Sequence, residues 1–214
     1  MNRLSRQFLP FFFVCSFTAA HTKNTPKIIT TSKPDQPFFS YPAPIPQWSL
    51  ENKHRVLHVT PKKQTGHYLK LKKQRYKLLN LHFHYPSEHT VNGKFFPIEA
   101  HFVHENAKRE LAVVSVLIQE GKKPNSWYER LVSCLKKVVP FKNSRTNVHE
   151  SLNLEKLLPP GVQLAYLDKK QSKTQHTGIT WLVAKQPVIL NKEQIHTIKT
   201  CYQNQAHMPG IKKH

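Results

Sequence analysis

The chain has 214 residues, a length that suits one domain with one sizeable core, and carries 33 Lys+Arg against 12 Asp+Glu for a formal net charge of +21. Three cysteines are too few for a disulfide framework. The lysines are spread along the chain with no recognisable nucleic-acid module among them, so the charge reads as a surface adaptation or affinity for anionic surfaces, and no specific nucleic-acid partner is expected.

In chain order, residues 1–20 read as a signal peptide. Arg3 and Arg6 give the positive start, Phe8 to Phe17 is mostly apolar, and Thr18-Ala19-Ala20 supplies small residues before His21. The apolar run is too short to span a bilayer. The expectation is an exported protein, periplasmic or secreted, whose domain occupies 21–214. Loss of Arg3 and Arg6 lowers the charge from +21 to +19.

Six prolines between 22 and 47 forbid long regular pairing there. Short strands are expected around 55–59, 67–71, 76–84 and 95–104, with a turn at Val91-Asn92-Gly93-Lys94. The continuous apolar run within 110–119 reads as a buried central strand. A helix is expected from Ser126, with Glu129 completing a capping box and Trp127, Leu131, Cys134, Leu135 and Val138 as its apolar stripe. Residues 179–184 give another strand, and Asn191 caps a short helix bearing Ile195, Ile198 and Tyr202. Cys134 and Cys201 read as buried thiols. The fold class is mainly β (α+β), a single domain around a large twisted sheet with a few short peripheral helices.

The chemistry concentrates in residues 80–101. On a strand, His82 and His84 project from one face while Leu81 and Phe83 enter a core. In the later strand Glu99, His101 and Val103 share a face. If the two strands pair, three histidines converge. Three neutral imidazoles with an open fourth position are the donor set of a catalytic zinc site.

Residues 81–104, Leu-His-Phe-His-Tyr-Pro-Ser-Glu-His-Thr-Val-Asn-Gly-Lys-Phe-Phe-Pro-Ile-Glu-Ala-His-Phe-Val-His, resemble the zinc-binding core of the α-class carbonic anhydrases. Weaker similarity extends over about 24–205: Asn52-Lys53-His54 resembles the turn that carries the family's proton-shuttle histidine, 110–121 the next core strand, and 179–188 the strand after the active-site loop. The resemblance implies the α-carbonic anhydrase fold. It also implies zinc-dependent reversible hydration of carbon dioxide to bicarbonate and a proton, by attack of zinc-bound hydroxide. It assigns His82, His84 and His101 as Zn2+ ligands, with Asn80 holding His82 and Glu99 holding His101. Glu88 would order the hydroxyl that orients the hydroxide. His54 would be the proton shuttle. Val103, Val113 and Trp181 would form the apolar wall for carbon dioxide.

The sequence departs from the family at the Gly-Ser-Leu-Thr-Thr-Pro-Pro loop, which falls on 168–174. Gln171 stands at the first threonine, Lys170 at the leucine, and Ser172 supplies a hydroxyl one residue away. Orienting groups of this kind are worth about 10²-fold in rate, so reduced turnover is expected. The alternative reading is a catalytically impaired zinc protein that acts as a binding module for anionic surfaces.

Overall fold

The structure, a computed structural model, describes residues 37–53, 56–62, 66–138, 145–160, 162, 164–166 and 179–203. The expected signal peptide, His54, Lys170, Gln171 and Ser172 lie outside the described residues.

Eleven strands form one sheet. Its main path runs β10 (Arg145–Val148), β2 (Trp48–Lys53), β3 (Val56–Pro61), β5 (Gln74–His84), β8 (Ile98–Glu105), β9 (Leu111–Gly121), β12 (Ile179–Ala184) and β11 (Leu164–Tyr166). Off this path, β4 (Tyr68–Leu71) pairs with β5, and β1 (Phe38–Ser40) pairs with β4. β13 (Val188–Asn191) runs along β9 beyond β12. Pairing is antiparallel except where β12 and β13 lie parallel to β9. A separate hairpin, β6 (Thr90–Val91) and β7 (Lys94–Phe95), turns through Asn92 and Gly93, both at positive φ. That is the geometry Asn-Gly pairs serve in two-residue hairpins. The strand expected at 95–104 starts at Ile98, because Pro97 lacks the ladder donor.

Apolar alternation orients the sheet. Leu57, Val59, Leu81, Phe83, Ala100, Phe102, Val114 and Val116 all join the main core at 1% exposure or less. The register of β5 on β8 shifts between Leu78 and Asn80, which leaves Leu79 as an extra residue. This bulge inverts the parity of β5, so Tyr76 and Leu78 before it and Leu81 and Phe83 after it all enter that core. Without the bulge, one of the two pairs would face away from it.

Helices α1 (Ser126–Val138) and α2 (Lys192–Gln203) pack together at the periphery. Two sequence expectations for α1 are corrected. Its cap is Asn125, whose Oδ1 accepts from the amides of Trp127 (3.1 Å) and Tyr128 (3.4 Å), and Glu129 accepts from Gln194 Nε2 (2.9 Å). Trp127 is 52% exposed beneath Lys156, while Tyr128 is buried with Leu131, Val132, Cys134 and Leu135. The helix presents Tyr128 inward because its hydroxyl reaches the Leu157 carbonyl at 2.9 Å. Cys134 and Cys201 are buried, as expected of structural thiols, and no disulfide joins them.

Asn191 caps α2 through a reciprocal box. Its Oδ1 accepts from the Gln194 amide (2.9 Å), and Gln194 Oε1 accepts from the Asn191 amide (3.3 Å). Gln194 also accepts from the Asn125 amide and donates to the Asn125 carbonyl. One buried side chain therefore ties both helix starts together. Gln194→Ala should cost about 2 kcal/mol, read as a lower urea midpoint at unchanged m-value.

A titratable group sits in the core face of β8. The Tyr41 hydroxyl donates to His104 Nε2 (2.7 Å), and His104 Nδ1 donates to the Ala112 carbonyl at 3.3 Å. Burial pushes His104 down to about 4, against the pull of the backbone carbonyls of Ala112 and Phe102. The unfolded chain takes up this proton near pH 6.5 and the folded chain near 4. Stability should therefore fall as pH drops through that window, by about 3 kcal/mol in full. Urea midpoints measured across it should show a shallower slope for His104→Gln.

Candidate metal centre

Six adjacent strands lay the site out as a grid on the sheet face opposite this core. Successive cross-strand partners on β2, β3, β5, β8, β9 and β12 are Glu51, His58, His82, His101, Ser115 and Val183. One row along lie Asn80, Val103, Val113 and Trp181; on the other side lie His84, Glu99 and Leu117. Cross-strand partners share a face, so sheet register alone brings His82, His84 and His101 together. Their ligand atoms lie within 4.8 Å of one another.

Second nitrogens set the tautomers. His82 Nδ1 donates to Asn80 Oδ1 (2.9 Å), and His101 Nε2 donates to Glu99 Oε1 (2.8 Å). Each ring is left with a lone pair on its other nitrogen, and those two nitrogens face each other at 3.3 Å. Two lone pairs at that distance repel unless a cation lies between them. His84 Nε2 is buried with no hydrogen-bond partner among the described residues, while its Nδ1 stands 3.6 Å from Glu88 Oε1. Two imidazole nitrogens held by zinc at 2.0–2.1 Å and a tetrahedral angle stand about 3.3 Å apart. The donor set, its spacing and the orphaned nitrogen of His84 fit that ion.

Electrostatics agree. Burial, reinforced by His84 and His101, pushes His82 well below the usual imidazole range. Burial and the neighbouring His101 push His84 down to about 3. Both rings are neutral at pH 7, as metal ligation requires.

Glu99 supports the cluster from behind. It is fully buried, and burial opposes its charge, but His89 and His101 outweigh this and hold its carboxyl well below the usual range. Oε2 accepts from the amides of Glu88 (2.8 Å) and His89 (2.9 Å), and Oε1 accepts from His89 Nδ1, His101 Nε2 and the Ser115 hydroxyl. With five donors on one carboxylate, the grouping of His89, Glu99 and His101 is internally satisfied. Its work is to fix the orientation of His101.

Trp181 stands with its ring 5.0 Å from that of His101 and 5.2 Å from that of His89, both edge-on. Val103 and Val113 are buried beside it. The apolar strip thus adjoins the imidazoles on the same face. Glu88 lies at the rim of the cluster, a quarter exposed, near His84; the loop hydroxyl it was expected to order lies outside the described residues.

Three residues of the site escaped the sequence reading. Ser115 sits inside an apolar run and reads as core until register sets it beside His101. His89 follows Glu88 closely enough to pass for a turn residue. His58 left a usable signal, since Val56, His58 and Thr60 alternate as a strand face does; its ring lies 5.2 Å from that of His82.

The sequence model of the eukaryotic-type carbonic anhydrase family matches residues 24–213. Carbonic anhydrases of Pectobacterium atrosepticum and Pectobacterium carotovorum are each 30% identical to the chain, over 68% and 76% of its length. The matches span 58% and 64% of those relatives' own lengths. Among solved structures, the Photobacterium profundum α-carbonic anhydrase superposes with a TM-score of 0.67 at 26% identity, covering 84% of this chain and 81% of that one. The α-carbonic anhydrase of Thermovibrio ammonificans, solved with the inhibitor sulfanilamide, gives 0.67 at 25% identity, covering 82% and 74%.

Proposed function

The chain belongs to the eukaryotic-type carbonic anhydrase family, and from that premise we propose that it catalyses the zinc-dependent, reversible hydration of carbon dioxide to bicarbonate and a proton. The observation that carries the proposal is the convergence of three imidazoles: His82 Nε2 and His101 Nδ1 face each other at 3.3 Å, and the buried Nε2 of His84 has no hydrogen-bond partner among the described residues. The match spans about three-fifths of the curated relatives, so the reading rests on the site itself as much as on kinship.

His82 Nε2, His84 Nε2 and His101 Nδ1 would hold the metal. Bound there, zinc would supply Lewis acidity, lowering the pKa of a bound water to about 7. The protein's own residues do the rest. Asn80 and Glu99 keep the ring protons on the far nitrogens and so keep the near ones basic. Val103, Val113 and Trp181 offer an apolar strip on which carbon dioxide can lie free of hydrogen-bonded water. Product leaves as an anion, and a proton must follow it out. We assign that proton to His54, since imidazole is the side chain whose charge changes nearest neutral pH. His54→Ala should lower kcat while sparing kcat/KM for carbon dioxide, and small imidazole buffers should restore kcat; an unchanged kcat removes His54 from the role.

The complete ligand set supports turnover over the binding-only alternative. Stopped-flow hydration combined with zinc determination tests the proposal. One zinc per chain and hydration faster than buffer are expected, and a zinc-loaded protein no faster than buffer would refute it.

A further inference from the structure

We propose that the outer face of strands β1, β4 and β5 docks the protein onto anionic phospholipid surfaces. Register defines this face. Phe38, Lys70 and Arg75 form one cross-strand row, and Ser40, Tyr68 and Lys77 form the next. The intervening Leu69, Leu71, Tyr76 and Leu78 turn into the core. The hairpin tip adds Lys72 and Lys73, so five cations fall within residues 70–77. Both tip lysines hold left-handed backbone (φ 47° and 63°), where Asn-Gly would be less strained.

Among the described residues, Lys70, Arg75 and Lys77 take part in no ion pair. Glu105, at the end of the Lys77 row, is already held by Arg109 at 2.8 Å. Arg75 lies over the Tyr68 ring, 4.7 Å from its centroid, which orders its guanidinium on the surface.

Charge complementarity selects an anionic partner, and Phe38 selects its kind. Its side chain is 58% exposed next to Lys70. A soluble polyanion has no use for that ring, whereas the boundary between headgroups and acyl chains takes up an aromatic flanked by cations. No described helix is long and apolar enough to cross a membrane. A juxtaposed Lys or Arg gains from anionic lipid only within a screening length of the surface, and cross-strand rows on three neighbouring strands bring these side chains to it together.

The test is co-sedimentation of the full chain with vesicles of phosphatidylglycerol and phosphatidylcholine, or of phosphatidylcholine alone, at low and high salt. Binding should require phosphatidylglycerol and weaken with salt. Reversal of the row in K70E/R75E/K77E should lower partition more than about 10-fold, with carbon dioxide hydration as the check on folding. The neutral set K70Q/R75Q/K77Q should lower it less, which separates charge from misfolding. Phe38→Ser should lower vesicle binding about 10-fold while leaving retention on immobilised polyphosphate unchanged. The proposal is overturned if the chain does not sediment with phosphatidylglycerol vesicles. It is equally overturned if K122E/K123E, at the exposed turn after β9, weakens binding as much as the row variant, since net charge would then suffice. Vesicle binding indifferent to Phe38 would also overturn it, in favour of a soluble polyanion.

Discussion

His101→Ala should leave a folded protein that binds no stoichiometric zinc and hydrates carbon dioxide no faster than buffer. The ring makes three separate contributions: Nδ1 faces His82 Nε2 at 3.3 Å, Nε2 donates to Glu99, and the ring edge meets Trp181. Truncation removes one of the three proposed ligands, and two imidazoles fall short of the three protein ligands that a catalytic zinc site uses. Folding should survive because His101 lies on the sheet face away from the main core, which Phe102 and Ala100 continue to fill from their own side of β8. The cost is that of a buried cavity beside Trp181 plus one lost donor to Glu99, about 3 kcal/mol. Atomic absorption on the purified variant, with stopped-flow hydration beside it, decides the matter. Wild-type zinc content in His101→Ala would mean that the ion sits elsewhere, and the proposed centre would have to be abandoned.

Part of this centre was legible because strand alternation is a local statement, and the resemblance of residues 81–104 to the α-class carbonic anhydrases supplied the rest. His82 and His84 at a spacing of two, and Glu99 and His101 likewise, require only that each segment be a strand. What alternation does not encode is register, and register decides the partners. Ser115 meets Glu99 only because β9 pairs with β8 at His101↔Ser115, and a shift of one residue would have set an apolar side chain there. The bulge at Leu79 was equally hidden. A period-two reading carried straight through β5 would turn either Tyr76 and Leu78 or Leu81 and Phe83 away from the core, and only the paired β8 shows where the parity changes. In α1 the stripe erred by one position at its start. Trp127 is the more apolar residue, but Tyr128 has a carbonyl to satisfy its hydroxyl in the core, and tertiary contact overrode the pattern.

Glu99→Gln should separate the carboxylate's two duties, which the geometry has fused. Five donors converge on Glu99, two on Oε2 and three on Oε1. A carboxylate accepts all five; an amide of the same shape cannot. If the new NH2 replaces Oε2, it faces the amides of Glu88 and His89, which have no alternative proton arrangement. If it replaces Oε1, it faces Ser115 and two imidazoles, which do. Ser115 can rotate its hydroxyl, and His101 can move its proton from Nε2 to Nδ1. The second arrangement is therefore the cheaper one, and its consequence falls on the metal. A proton on Nδ1 points at His82 Nε2, 3.3 Å away, and turns a pair of facing lone pairs into a hydrogen bond. The variant should accordingly lose more than 10–100-fold in zinc affinity, the usual cost of a supporting partner, because it stabilises the metal-free tautomer as well as weakening the ligand. Its metal-free stability should fall by about 3 kcal/mol or less, whereas Glu99→Ala, which leaves every donor unpaired in a dry site, should lose about 3–5 kcal/mol. Chelator competition gives the first number and urea unfolding in excess chelator the other two. A Glu99→Gln protein that binds zinc as tightly as wild type would show that His101 keeps its tautomer without the carboxylate, and the support assigned to Glu99 would then be packing alone.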